Sequence, residues 1–155
     1  MSDDVFQKLV QDFNEQMVDL IKKYQFRDRD QITCHGISVS QCYTLQTLFQ
    51  HGAMNMNDLA DKMYLSVSTL TRVVDQLVQK GYVLRTEGAE DRRVRCITLT
   101  PDGRGIFEKC WGSVRRSEET ILAQFEPEIR PVLVDFIRRL NQAVGHWQSC
   151  CREDC

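Results

Sequence analysis

Residues 56–83 of the chain read MNDLADKMYLSVSTLTRVVDQLVQKGYV, and their pattern indicates the fold class. Apolar residues recur there at steps of three and four, first over a short segment and then, after a break at residues 64–66, over a longer one. This spacing indicates two amphipathic helices. Ser66 can cap the second helix and Gly81 can end it, so the pair has the layout of a helix-turn-helix. The inward positions are Leu59, Ala60 and Met63 in the first helix and Val67, Leu70, Val73, Val74, Leu77 and Val78 in the second.

The residues after this helix pair change their periodicity. Segments 82–86 (YVLRT) and 95–100 (RCITLT) are typical of β-strands, and segment 87–93 between them is polar and turn-rich. The two strands are therefore expected to pair as an antiparallel hairpin. A helix pair followed by a hairpin is a winged helix, so we predict a mainly α fold with a small β wing.

Further helices are predicted before this region. Segment 5–24 carries one apolar stripe, which the charged stretch FRDRDQ (26–31) is expected to end. Ser38 or Ser40 can cap a second helix that closes at Gly52. The helix-turn-helix then begins after a cap at residue 55 or 57, both of which are asparagines.

Long helices are also predicted after the wing. Thr100 can cap one of them, and Pro101 suits its first turn. A break at residues 125–127 separates it from a last helix, and residues 149–155 (SCCREDC) are expected to fray. Together with the first helix, these helices carry more apolar side chains than a small winged-helix core can cover, and the surplus predicts a partner surface.

The net charge of −2 gives no global reason to expect a nucleic-acid partner, so any DNA-binding charge must be concentrated locally. The outward side of the second helix in the pair offers hydroxyls that can bond phosphates or base edges, and its N-terminus attracts phosphate oxygens. A hydroxyl-rich helix start can also be only a cap. An arginine there has the geometry to contact guanine. The candidate DNA-binding residues on this helix are Ser66, Ser68, Thr69, Thr71 and Arg72.

The hairpin adds further basic residues. Arg92 and Arg93 lie near its tip, between Arg85 and Arg95 on the two strands, and a basic tip suits phosphate or minor-groove binding. Alternatively, the acidic residues of the same loop neutralise these arginines, with Asp91 bracing Arg93. Helix and hairpin together are much more specific for DNA than either part alone.

The motifs around this region resemble those of the MarR (multiple antibiotic resistance regulator) family. Residues 56–83 look like the family's helix-turn-helix, Asp91-Arg92-Arg93 matches its D-x-R wing motif, and segment 99–103 (LTPDG) matches its L-T-x-x-G helix start. The motif-bearing part covers about 50 residues, and the flanking helices fit the family layout over nearly the whole chain.

The resemblance implies a homodimeric transcription regulator, expected to be a repressor, whose two recognition helices enter successive major grooves of a pseudo-palindromic operator. It implies a single domain over 1–155, with a DNA-binding lobe at about 38–100, dimerisation helices at about 3–27 and 101–148, and a Cys-rich tail at 149–155. It also implies a small-molecule, metal or redox signal received between the dimerisation helices and the DNA-binding lobes.

Seven cysteines at irregular spacing argue against a disulfide framework, so reduced thiols are the default expectation. Cys42, Cys96 and Cys110 fall on apolar stripes or a strand and can be small buried hydrophobes. The alternative is a thiol-directed signal, or a soft metal or metalloid, received by cysteines. An apolar or phenolic ligand near Tyr43 is the rival signal. The candidate sensor residues are Cys34, Cys42, Cys110, Cys150 and Cys151.

Other classes of protein fit less well. No Ser/His/Asp order, metal-hydrolase spacing or phosphate loop is present, which disfavours an enzyme. The second alternative is a winged helix that contacts another protein. Salt-dependent binding to duplex DNA separates the DNA-binding regulator, the enzyme and the protein-binding winged helix. The acidic N-terminus, MSDDVFQKLV, lacks the features of a signal peptide, and no apolar run approaches the ~20 residues of a membrane helix. We therefore expect a cytoplasmic protein without a membrane partner.

Overall fold

A computed structural model describes residues 3–33, 35–88 and 95–153, with side chains described up to Cys150. The fold is mostly helical with one small antiparallel sheet, which confirms the predicted class. The elements in chain order are α1 (Asp3–Thr33), α2 (Val39–His51), β1 (Met54–Asn55), α3 (Met56–Lys62), α4 (Val67–Gln79), β2 (Val83–Glu87), β3 (Arg95–Leu99), α5 (Pro101–Leu122) and α6 (Ile129–Glu153).

The chain divides into two compact units, residues 1–114 and 115–155. The first contains the helix-turn-helix and the sheet, and the second contains the end of α5 and all of α6. α6 continues to Glu153, past Ser149, where a frayed tail was expected. Within the described ranges, every helix is too short or too polar to cross a membrane.

The helix boundaries of the first unit follow local capping chemistry. Ser38 caps α2, and its hydroxyl accepts from the Gln41 amide while the Gln41 side chain accepts from the Ser38 amide. Asn55 caps α3 through the Asp58 amide, and Ser66 caps α4. These caps are at predicted positions. They could be predicted because each capping side chain interacts with a residue that lies within four positions of it in the chain.

The sheet has the strand order β1-β3-β2, and both pairings are antiparallel. The β2–β3 pairing confirms the predicted hairpin, with Val83 opposite Leu99 and Glu87 opposite Arg95. The third strand, β1, was not predicted. It is only two residues long and has no periodicity of its own, so only its pairing with β3 identifies it.

The core of the first unit is built around α4. Leu70, Val74 and Leu77 of α4 are fully buried, and they repeat at the spacing of one helix face. Side chains from α2, α3 and both wing strands complete the same cluster. The fully buried hydrophobic members from those elements are Cys42, Leu45, Leu48, Leu59, Val83 and Ile97.

The first helix is longer than predicted. The charged stretch at residues 26–31 was expected to end α1, but the helix runs on to Thr33. The expected end point is wrong because Asp28 is only 6% exposed and lies in a polar joint with α2. Its carboxylate pairs with Arg27 and accepts a hydrogen bond from the Tyr43 hydroxyl, and Ile32 is buried one turn later.

A second polar joint connects α2 to α4. The Gln41 side chain, 4% exposed, donates through Nε2 to Oε1 of Gln76 at 2.7 Å. Lys80, at the end of α4, donates through Nζ to Oε1 of Gln41 at 3.0 Å and to the Gly36 carbonyl at 2.8 Å. The recognition-helix candidate is thereby tied to α2 and to the loop that precedes it.

Gly103 marks the closest approach between α5 and the chain leaving α4. A Cβ atom at Gly103 would lie 2.0 Å from the carbonyl oxygen of Tyr82, which itself accepts a hydrogen bond from the Thr100 amide. Only glycine fits there without moving backbone. The L-T-x-x-G pattern therefore has a steric cause in this chain.

We predict that Gly103→Ala lowers the free energy of unfolding by at least about 2 kcal/mol, because the added methyl group overpacks against backbone. Urea denaturation followed by circular dichroism measures the change. Gly105→Ala is the matched control, since a Cβ there meets nothing within 4 Å. The control should be neutral or stabilising by up to about 1 kcal/mol. Equal effects from the two substitutions would contradict the steric argument.

Candidate nucleic-acid interface

The outward side of α4 is opposite its buried stripe. Because Leu70, Val74 and Leu77 point into the core, the polar residues between them and at the helix start face solvent. Ser66, Ser68 and Thr69 are exposed at the N-terminus, and Arg72 is exposed one turn later. The fold thus presents the candidate DNA-binding residues of α4 on one accessible surface.

The hydroxyl groups at this helix start form one connected cluster. The Ser66 hydroxyl accepts from the Thr69 amide at 3.2 Å and lies 2.8 Å from the Thr69 hydroxyl and 3.1 Å from the Ser68 hydroxyl. Each hydroxyl has one proton and two lone pairs, so the cluster keeps hydrogen-bonding capacity for a ligand. The Thr71 hydroxyl donates to the Val67 carbonyl at 2.7 Å. Its oxygen therefore remains available as an acceptor only.

Arg72 has a free guanidinium group among the described residues. Its side chain is exposed and forms no hydrogen bond or ion pair with any residue in the described ranges. The contrast with Arg85 is direct, because the Arg85 guanidinium on β2 is paired with the Asp75 carboxylate on α4. Arg85 thus fastens the wing to α4, whereas Arg72 can be used by a partner.

The tip of the wing falls outside the described residues. Arg92 and Arg93, predicted to contact phosphates or the minor groove, and Asp91, predicted to brace Arg93, all lie in the undescribed segment 89–94. Arg95 begins β3 and is exposed. The base of the predicted basic ribbon is therefore part of the sheet. The DNA contacts predicted for the tip of the ribbon stay a prediction.

The five candidate sensor cysteines divide into three groups. Cys42 of α2 and Cys110 of α5 are both fully buried, and Cys110 lies near enough to Cys42 to raise the pKa of its thiol. Cys150 is exposed on α6, with its Sγ 3.9 Å from Nε2 of His146. Cys34 and the side chain of Cys151 lie outside the described residues. Among the described side chains, no group of three His, Cys, Asp or Glu residues could hold a metal ion.

The environment of Cys42 disfavours its reactive form. Burial raises the pKa of the Cys42 thiol to about 12, and the neighbouring Cys110 adds to the increase. Only the thiolate is an effective nucleophile, so this thiol is slow to react at neutral pH. The burial of Cys42 and Cys110 is what the small-hydrophobe interpretation predicted for them, and Cys96 is only partly buried.

At the rival signal site, the partly buried Tyr43 hydroxyl donates a hydrogen bond to the Asp28 carboxylate. Burial raises the pKa of the Tyr43 hydroxyl, and its hydrogen bond to Asp28 raises it further. On α1, the Arg27 guanidinium lies 4.2 Å from the centre of the Tyr24 ring. The Tyr43–Asp28 hydrogen bond joins α1 to α2, next to Cys42. Nothing in the local sequence pattern indicated that Asp28 would be buried.

One exposed residue of the interface was not predicted. Tyr64 lies in the turn between α3 and α4, and its side chain is 73% exposed. The sequence indicated only a break at this point. The available signal was the residue type itself, since a turn that ends a helix usually has glycine at this position and this chain has a tyrosine.

Comparison with known proteins also indicates a DNA-binding regulator. The sequence model of the MarR family matches residues 37–94. The HTH-type transcriptional repressor MdtR of Bacillus subtilis is 28% identical over 118 residues, which cover 76% of this chain and 74% of MdtR. The uncharacterized HTH-type transcriptional regulator YdgJ, from the same organism, is 30% identical over 116 residues, which cover 75% of this chain and 71% of YdgJ.

The fold is also shared with a solved structure. A MarR family protein from Bacillus stearothermophilus superposes with a TM-score of 0.82 at 27% identity, covering 90% of this chain and 97% of that protein. Members of the family are regulators that bind DNA and typically function as dimers, and they are not enzymes. The winged helix, its exposed α4 and these likenesses lead to one conclusion: the chain belongs to the MarR family of transcriptional regulators.

Proposed function

We propose that this regulator is a homodimeric repressor that binds a pseudo-palindromic duplex through α4 of each protomer. The observation that carries the proposal is the outward surface of α4, where the Ser66–Thr69 hydroxyl cluster lies beside the exposed, unpaired Arg72. Repression is proposed because the relative MdtR is named a repressor. Two symmetric protomers would place half-sites about one helical turn of DNA apart.

The chemistry of this surface suits duplex DNA. Backbone amides at the start of α4 and the helix dipole favour a phosphate near Ser66. Arg72 lies one turn further along α4, where a guanidinium can donate two hydrogen bonds to a guanine edge. A hydroxyl oxygen that only accepts, as in Thr71, suits an exocyclic amino group of adenine or cytosine. Positioning contacts and base contacts would thus come from successive turns of one helix.

Dimerisation is proposed from the apolar surface that each unit leaves exposed. In the first unit, α1 exposes a stripe that includes Leu9 (52%) and Phe13 (53%). In the second unit, α6 exposes Phe136 (66%), Ile137 (57%) and Trp147 (64%). Large apolar side chains at this exposure are costly in a monomer, and a second copy of the chain would cover them.

Arg72→Ala is expected to weaken binding to a preferred duplex by about 1–3 kcal/mol, because it removes a base-edge contact. The measurement is fluorescence anisotropy with a duplex that the wild-type protein selects from a random pool. A scrambled duplex of equal length should lose less affinity, since base contacts contribute little to non-specific binding.

Arg115→Ala is the matched control for this substitution. It removes the same charge from an exposed arginine of α5 that pairs only loosely with Glu119, at 3.8 Å. It should leave affinity for both duplexes near the wild-type value. If Arg72→Ala and Arg115→Ala behave alike, α4 does not recognise bases through Arg72.

Phe136→Glu is expected to convert the dimer into monomers and to abolish binding to the selected duplex, because it buries a charge in the proposed apolar interface. Sedimentation equilibrium measures the assembly. Gln142→Glu adds the same charge to an exposed polar position of α6 and should remain dimeric. A dimeric Phe136→Glu variant with full affinity would contradict the proposed interface.

A second proposal concerns the signal. Cys42 and Cys110 are both fully buried and lie near one another, and we propose as the form that releases DNA a disulfide between α2 and α5 that forms slowly, because burial disfavours the Cys42 thiolate. With peroxide as the oxidant, the Cys42 thiolate attacks an oxygen to give a sulfenic acid and hydroxide. The Cys110 thiol then displaces water from the sulfenic acid, and the S–S bond forms. The net reaction consumes two thiols and one peroxide and releases two waters.

Peroxide should therefore lower the DNA affinity of the wild-type protein, and a thiol reductant should restore it. Because the pKa of Cys42 is raised to about 12, the reactive thiolate fraction and the rate should rise about tenfold between pH 7 and pH 8. Cys42→Ser and Cys110→Ser should not respond, whereas Cys150→Ser should respond like the wild type. Release of DNA only by phenolic compounds, with all variants alike, would favour the rival site near Tyr43.

A further inference from the structure

The turn between α3 and α4 is a Schellman motif. The Tyr64 amide donates to the Asp61 carbonyl at 3.2 Å, and the Leu65 amide donates to the Ala60 carbonyl at 3.0 Å. This pattern requires a left-handed residue one position after the helix cap. Here Met63 is the cap, and Tyr64 takes the left-handed conformation with φ 53°.

This conformation is costly for a tyrosine. Elsewhere in the first unit, left-handed positions are filled by Gly36, Gly52 and Gly81, and Tyr64 is the only non-glycine residue with positive φ in the described ranges. A bulky side chain brings Cβ close to its own backbone there, a strain that glycine avoids. Folding alone would therefore favour glycine at this position.

Contacts of the Tyr64 side chain within the protein do not offset that cost. It is 73% exposed, is not packed against the hydrophobic core, and forms no side-chain hydrogen bond with any residue that the structure describes. By contrast, its neighbour Leu65 packs against the core. Strained residues that contribute nothing to folding point to a role outside the folded chain.

The position of Tyr64 indicates what that role is. It is exposed and lies two residues before Ser66, the cap of α4, so it precedes the end of α4 at which the proposed function places DNA. We propose that the Tyr64 hydroxyl donates a hydrogen bond to a phosphate oxygen next to the point where α4 enters the major groove. The inference rests on the proposed function and adds a positioning contact to it.

A phosphate contact has a distinct signature. Phosphates carry no sequence information, so the Tyr64 contact adds the same free energy to every duplex. It is made by a neutral donor and releases no counterion, so the dependence of affinity on salt stays unchanged when the contact is lost. Both features separate Tyr64 from Arg72, whose base contact should favour one sequence.

Tyr64→Phe and Tyr64→Gly test the contact. Tyr64→Phe retains the ring and the strained backbone but removes the donor, and Tyr64→Gly removes the ring and relieves the strain. Both should weaken binding about fivefold to tenfold on the selected duplex and equally on a scrambled duplex, with an unchanged salt slope. The melting temperature of Tyr64→Gly should equal that of the wild type or exceed it by a few degrees.

Wild-type affinity of Tyr64→Phe would overturn the inference, because the hydroxyl would then make no contact. A lower melting temperature together with weaker binding in Tyr64→Gly would also overturn it, because the residue would then act through the fold. Arg72→Ala is measured beside these variants. If the wild type binds DNA and only Arg72→Ala weakens binding, the Tyr64 contact is contradicted but the proposed function is not. If the wild type binds neither duplex, both the Tyr64 contact and the proposed function are contradicted.

Discussion

Leu70, Val74 and Leu77 lie on one side of α4 and are completely buried, and the rest of the first unit depends on that packing. The stripe meets side chains from α2, α3 and both wing strands, so α4 cannot rotate about its axis without exposing them. Because the inner side is held, the outer side is held as well. The orientation of Arg72 and of the hydroxyls before it is a consequence of core packing.

Features that depend on neighbouring residues could be predicted from the sequence. The caps at Ser38, Asn55 and Ser66 each involve atoms within four residues, and the hairpin follows from a short polar turn between alternating strands. The helical spacing within 56–83 was sufficient to place α4, the candidate recognition helix. The position of its exposed residues followed directly from the same spacing.

Features that depend on distant residues could not be predicted in this way. α1 continues through a charged stretch because Asp28 meets Tyr43 of α2, and no local pattern reports that contact. β1 exists only through its pairing with β3. The contact between Cys42 and Cys110 joins residues far apart in the chain, so their spacing gave no sign of it. Each of these three omissions involves a long-range contact.

The use of positive charge explains how an acidic chain can bind an anionic polymer. The chain as a whole has a net charge of −2, so attraction to DNA cannot come from its overall charge. Arg85 is paired with Asp75 and contributes to joining the wing to α4, whereas Arg72 has no described partner. Positive charge is thus left available where α4 is exposed.

The polar joint between α2 and α4 connects α4 to the interior of the first unit. Gln41 precedes Cys42 in α2 and bonds Gln76 of α4, while Lys80 bonds both Gln41 and the Gly36 carbonyl. Gln41 is almost fully buried, so breaking its bond to Gln76 would leave polar atoms without partners, which is expensive. A displacement of α2 is therefore cheaper when α4 moves with it. Any change at Cys42 or Tyr43 that shifts α2 consequently acts on α4, the helix proposed to face DNA.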